Sequence, residues 1–240
     1  MKYSDFLEHF IALKRVILRI LCFFLVCFGI AYCNYESLLC ILTKPFSDKV
    51  SDISMIYTGL TEGFLLRIGI CFSCSIFASI PFGLQQIYGF CAIGLKKRER
   101  VMAKYAIISS VMLFFIGALV AYYFIIPSAI DFFIKHSSTS IIAATLEPKI
   151  VDYIDLTLSI MLGFGIAFQA PLIIFFLHAS GLVDVDVMCR YRRHIIVIAF
   201  IIGAIFTPPD VMSQIILACI MIGLIEASFI VCRAFRSARG

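Results

Sequence analysis

Charge is what this chain has least of. Only 15% of its 240 residues are Asp, Glu, Lys or Arg, against about 25% in an ordinary soluble domain. Familiar catalytic devices are missing as well. No G-x-x-x-x-G-K-[ST] phosphate cradle occurs, so the chain does not hydrolyse ATP by that route. No H-E-x-x-H zinc pair and no G-x-S-x-G elbow occurs either. His178 and Ser180 fall near the end of an apolar run with no nucleophile–base spacing around them. The N-terminus, M-K-Y-S-D-F-L-E-H-F, carries two acids before any long apolar run and has no small-residue cleavage site. No cleaved signal peptide is expected. These absences point away from an enzyme.

What is abundant is apolar sequence: 62% hydrophobic residues and a mean hydropathy of +1.05. The chain reads as an all-α integral membrane protein, one transmembrane domain over 1–240 with no room for a separate soluble domain. Most of the ten cysteines, including Cys22, Cys27, Cys71, Cys74, Cys91 and Cys219, lie inside apolar runs. Cys71-Phe-Ser-Cys74 has the form of a redox box, but in lipid cysteine serves as a small hydrophobe. No His or carboxylate stands at ligand spacing, so neither metal nor cofactor is expected.

Six spans are predicted, at about 16–33, 68–93, 105–126, 156–183, 195–206 and 211–232. The second and fourth contain Pro81 and Pro171, where kinks are expected. The fifth has twelve uncharged residues, about 18 Å of helix at 1.5 Å per residue. That is short of a hydrocarbon core of about 30 Å. The short fifth and sixth spans are expected to form a hairpin. Its turn is T-P-P-D, Thr207 to Asp210, with the spacing of an N-cap box and proline in the first turn. The outer loops, about 34–67 and 127–155, read as polar connections punctuated by Pro45, Pro127 and Pro148. Fifteen of the twenty Lys and Arg fall on the side that holds both termini, and nine of the fifteen acids fall on the other. This bias predicts N-in, C-in topology, with T-P-P-D at the outer face. Residues 5–15 read as an amphipathic helix lying on the cytoplasmic surface.

A few polar residues stand out. Gln169, in F-Q-A-P, falls mid-span. It either faces a cavity or partner helix, or makes an internal hydrogen bond worth roughly 0.6 kcal/mol. Glu226 lies inside the sixth span, where an acid costs about 2.5–3.5 kcal/mol at a helix centre. Protonation, pairing or reach to the interface would each relieve that cost. Gln85 and Gln86 read as interfacial hydrogen bonders. The loop G-L-K-K-R-E-R is the most charged point of the chain. Topology and anionic lipid account for its cations, and no nucleic-acid partner is implied. Glu99 among them either neutralises its neighbours or accepts a cationic ligand, for which arginine offers a two-pronged bond.

Several motifs in order resemble the TatC family, the multi-spanning subunit of the twin-arginine protein translocase. They are E-H-F-I-A-L-K-R-V near the start, T-G-L-T-E-G-F at 58–64, P-F-G-L-Q-Q-I-Y-G-F at 81–90 and G-L-K-K-R-E-R at 94–100. G-F-G-I-A-F-Q-A-P at 163–171 and F-T-P-P-D-V-M-S-Q at 206–214 complete the set. The resemblance implies a receptor for signal peptides bearing consecutive arginines, in a translocase that exports folded proteins on the proton-motive force. It implies TatA- and TatB-type single-span partners, cargo proteins, a homo-oligomer within a larger complex, and the bacterial inner membrane.

By the same resemblance, Glu99 and Phe90 are signal-peptide-binding positions. The family's second acid, in an H-x-x-E-L pattern, is Ala12 here. Glu8, four residues earlier on the same helix face, is expected to take over its charge. Thr207 and Gln214 match the partner-docking patch, and Pro45, Glu62 and Asp210 match outer-face functional positions. Gln169 stands where the family has glutamate, and Ile93 where it has proline. Size agrees with a multi-subunit mechanism: helices about 10–12 Å across in a ring of six leave a lumen too narrow for a folded domain. Two rival readings are a secondary transporter using Gln169 and Glu226, and a non-transporting scaffold.

Overall fold

The computed structural model describes residues 3–49, 55–91, 97–137, 148–179, 185–206 and 211–237. They form ten α-helices: α1 Tyr3–Cys33, α2 Tyr35–Ser47, α3 Glu62–Cys91, α4 Lys97–Val120, α5 Ile126–Ser137, α6 Ile150–Ala167, α7 Ala170–Ala179, α8 Val185–Arg190, α9 Arg192–Phe206 and α10 Val211–Ser237. A π-helical turn, Ala121–Ile125, joins α4 to α5. Among the described residues five segments are long and apolar enough to cross a membrane: Ile11–Cys33, Glu62–Gln86, Ile107–Lys135, Ile150–Phe175 and Gln214–Arg233. Helix α9, at 15 residues, extends about 22 Å at 1.5 Å per residue. It is the short fifth span the sequence predicts. The sixth, Gln214–Arg233, is the shortest of these five segments at 20 residues, within a helix α10 of 27 residues.

The chain divides into two compact units. One comprises Met1–Ile41 and Gly59–Val111. Its framework is α1 against α3, joined by aromatic contacts. Phe23 stacks on Phe82 with ring centroids 4.3 Å apart, and Phe24 meets Phe72 edge-on at 5.4 Å. Ile70, Cys71 and Ser75 are fully buried along α3, so Cys71 packs as a small core side chain. The predicted surface helix is not separate: residues 5–15 continue into the first span as one 31-residue helix. No proline or glycine interrupts α1 before Gly29 to permit a bend. Pro81 likewise leaves α3 unbroken.

The other unit comprises Leu42–Thr58 and Met112–Gly240. Close helix approach here depends on two glycines. A Cβ on Gly117 would stand 2.6 Å from the Phe164 carbonyl oxygen, and one on Gly165 would stand 2.5 Å from the Phe114 ring. Small residues at such crossings let backbones approach where lipid supplies no hydrophobic drive. A second cluster packs Met188, Ile225, Phe229 and Cys232 against Ile174, Phe175 and Ile195, tying α7, α8 and α9 to α10.

Prolines explain most departures from the expected boundaries. Pro171 ends regular helix as predicted: Phe168 and Gln169 form a turn between α6 and α7. Pro127 was expected to open a loop, yet α5 continues through it. A proline ring clashes with the carbonyl four residues back. The π turn, whose last bond runs from the Ile126 N–H to the Ala121 carbonyl, widens the backbone immediately before Pro127. Pro45 also lies inside a helix, α2, rather than in a polar loop. Glu36 in the first turn and Lys44 in the last complement that helix's dipole.

Candidate functional site

One end of the second unit is built around Pro45. Pro45, Leu42 and Phe46 are buried on α2. The Tyr153 hydroxyl donates to the Leu42 carbonyl at 3.0 Å, and its ring meets Phe46 edge-on at 5.4 Å. Lys49 Nζ lies 2.6 Å from Asp131 Oδ2, an exposed ion pair between the chain after α2 and helix α5. Ile56 and Lys149 form a parallel bridge, with the Ile56 N–H donating to Pro148 and the Ile150 N–H to Ile56, both at 3.2 Å. Lys44, Asp48, Tyr122, Tyr123 and Pro127 line an open pocket of about 510 Å³ beside Pro45.

In the first unit Glu62 opens α3, its backbone N–H donating to the Gly59 carbonyl at 3.3 Å. One turn on, Arg67 donates to the Tyr32 carbonyl at 3.2 Å and stands 4.2 Å over the Tyr32 ring. A cation on the last carbonyls of α1 complements that helix's dipole. The charge count alone gave Arg67 no such role.

The α9–α10 hairpin holds Gln214 in its first turns. Its Nε2 donates to the Phe200 carbonyl at 3.2 Å. A Cβ on Gly203 would stand 3.3 Å from the Gln214 carbonyl oxygen, so glycine sets the close approach. Thr207 and Asp210 lie outside the described residues. Among the described residues helix α10 begins at Val211, and the T-P-P-D cap, with Pro208 expected as the first helical residue, lies outside them.

Glu226 takes the second of its three predicted fates. Its Oε2 lies 2.6 Å from Arg192 Nη2. Arg192 also stands 5.8 Å from the centre of the Phe229 ring. The partners stand 34 positions apart, which leaves no local pattern to find. Gln169 sits in the turn between α6 and α7, its Nε2 3.5 Å from the Gly165 carbonyl. The signal-binding candidates fall on helices: Glu8 on α1, Phe90 at the end of α3 and Glu99 in the first turn of α4. Their side chains lie outside the described residues. Among the described residues no group of three His, Cys, Asp or Glu could hold a metal ion.

Residues 8–219 match the protein family described as TatC, Sec-independent protein translocase protein. A Rickettsia prowazekii protein, Sec-independent protein translocase protein TatC, is 33% identical over all of this chain and 96% of its own length. A relative of the same name from Halothiobacillus neapolitanus is 33% identical over 98% of this chain but longer, with 64% of its length covered. A crystal structure described as the twin arginine translocase receptor TatC in DDM superimposes with a TM-score of 0.80 at 29% identity. That match covers 93% of this chain and 98% of the other.

Proposed function

The chain belongs to the TatC family, and from that premise we propose that Glu99, with Phe90 beside it, receives the arginines of export signals. The chain is a multi-pass protein of the bacterial inner membrane and a receptor component of the twin-arginine translocase. The observation that carries this reading is the family match, which runs almost from end to end and agrees in sequence and fold. Within that role Glu99 offers a carboxylate to a guanidinium in a two-pronged, charge-assisted bond. Glu8 on α1 supplies the second carboxylate in place of the alanine at position 12.

The basic bias supports cytoplasmic placement of both termini. Thr207 and Gln214 form the contact for TatA- and TatB-type single-span subunits, and Pro45, Glu62 and Asp210 act at the outer face. Folded cargo then crosses through the assembled complex on the proton-motive force. The chain performs no covalent chemistry and works as a homo-oligomer within the larger complex. Pairing of Glu226 with Arg192 counts against a small-solute transporter, which would use that carboxylate uncompensated at midplane.

The test is crosslinking from a photoprobe at position 99 to an R-R signal peptide and to a K-K control. Strong capture of R-R and weak capture of K-K is expected. Equal capture would overturn the receptor assignment of Glu99.

A further inference from the structure

The open pocket beside Pro45 holds charge that the fold does not pair. Of its two lining cations, Lys49 is matched by Asp131 at 2.6 Å. Lys44 and Asp48 are both exposed, and among the described residues neither forms a salt bridge. The Asp48 N–H donates to the Lys44 carbonyl at 2.9 Å, which holds the two residues one turn apart. Cation before acid is the weaker order for pairing at this spacing, so both stay available to a ligand. Tyr122 and Tyr123 line the pocket with them. These tyrosines stand near the end of the span that the sequence predicts at 105–126, and tyrosine is enriched at the headgroup level of a bilayer.

Lys44, Asp48 and the Lys49–Asp131 pair together carry no net charge, so a purely anionic ligand gains no overall attraction. A separate cation and anion instead fit a ligand that carries both signs. We propose that this pocket binds the head of a phospholipid of the phosphoethanolamine class, its phosphate on Lys44 and its ammonium on Asp48. The phosphate takes the lysine as a point charge. The ammonium donates charge-assisted hydrogen bonds to the carboxylate. The tails have a path. Met112, Ile116 and Leu119 are exposed at i, i+4, i+7 on α4, and Tyr123, exposed as well, lines the pocket. From Met112 to Tyr123 is about 16 Å, close to the hydrocarbon depth of one leaflet, about 15 Å. That path favours a lipid over a free zwitterion. The site uses neither Glu99 nor the α9–α10 hairpin, so its failure and that of the receptor reading are distinguishable.

The test is native mass spectrometry of the full chain from micelles holding phosphatidylethanolamine and phosphatidylglycerol of equal chain length. The wild type should retain phosphatidylethanolamine preferentially. Asp48→Asn should cut that preference about ten-fold, the scale of one charge-assisted hydrogen bond. Lys44→Gln should lower retention of both lipids alike, because both carry the phosphate. Both side chains are exposed, so neither change disturbs the core. Lys149→Gln, at an exposed cation of the same unit outside the pocket, should change nothing. Equal retention of the two lipids by the wild type would overturn the proposal. So would an undiminished preference in Asp48→Asn, or a loss with Lys149→Gln equal to that with Lys44→Gln. Displacement of the lipid by soluble phosphoethanolamine would make the site one for a free zwitterion. Capture of protein rather than lipid by a photoprobe at Tyr123 would make it a partner's, and either result overturns the lipid assignment.

Discussion

Replacing Arg192 by Gln strands Glu226, and the structure gives the scale of the penalty. Glu226 lies seven residues before Arg233, the last basic residue of that span. At 1.5 Å per residue that is about 10 Å, well inside a core whose half-thickness is about 15 Å. An acid at the helix centre costs about 2.5–3.5 kcal/mol. Removing one partner of a fully buried pair costs about 3–5 kcal/mol, whereas exposed pairs contribute only about 0.2–1 kcal/mol. The two side chains are 47% and 39% exposed, and Arg192 stands at the very start of α9. The coupling should therefore fall between these limits, at about 2 kcal/mol.

Arg192→Gln and Glu226→Gln should each lower stability by about that amount, and the double variant by little more than either alone. In a chain of this size, about 2 kcal/mol lowers the midpoint of thermal unfolding by roughly 4–8 °C. Thermal unfolding in nanodiscs reads the cycle directly. Single effects that add in the double variant to within about 0.5 kcal/mol would refute the pairing. The charge-swapped variant, Arg192→Glu with Glu226→Arg, should recover part of the loss.

Three further outcomes follow from the same structure. Gly165→Ala should destabilise by about 1–3 kcal/mol through overpacking against Phe114, and Phe114→Leu in the same chain should restore much of it in the same unfolding assay. Gln214→Leu should cost only about 0.6 kcal/mol of stability, yet reduce crosslinking of TatA- and TatB-type helices to α10. Full crosslinking in that variant would remove Gln214 from the docking surface. Glu8→Ala and Glu99→Ala should each depress export of a twin-arginine reporter, and undiminished export after Glu8→Ala would remove Glu8 from the clamp.

Hydropathy alone located most of the spans, because covering about 30 Å of hydrocarbon requires about 20 apolar residues. Local backbone chemistry located the break near Pro171. What stayed hidden were effects of residues distant in sequence, or of proline in a helix able to absorb it. Pro45 and Pro127 read as loop punctuation, yet both stand in helices. Tyr153, far along the chain, donates to the carbonyl of Leu42 three residues before Pro45. Glu226 was recognisable as an expensive residue, but not its partner, which enters from another helix. The proposed signal-binding residues were legible only through resemblance, since one acid in a basic loop has more than one physical reading.

The π turn at Ala121–Ile125 also works as a phase shifter. One extra residue in a turn rotates every later side chain by about 100° relative to a helix that had stayed α throughout. Asp131 meets Lys49 at 2.6 Å in the rotated phase. Had α4 run straight on, the same carboxylate would face about a quarter-turn away. Deleting a single residue between 121 and 125 would let an α turn close in place of the π turn and leave Asp131 aimed as it is now. Winding the full-length chain as α throughout would instead turn every later side chain by about 100°.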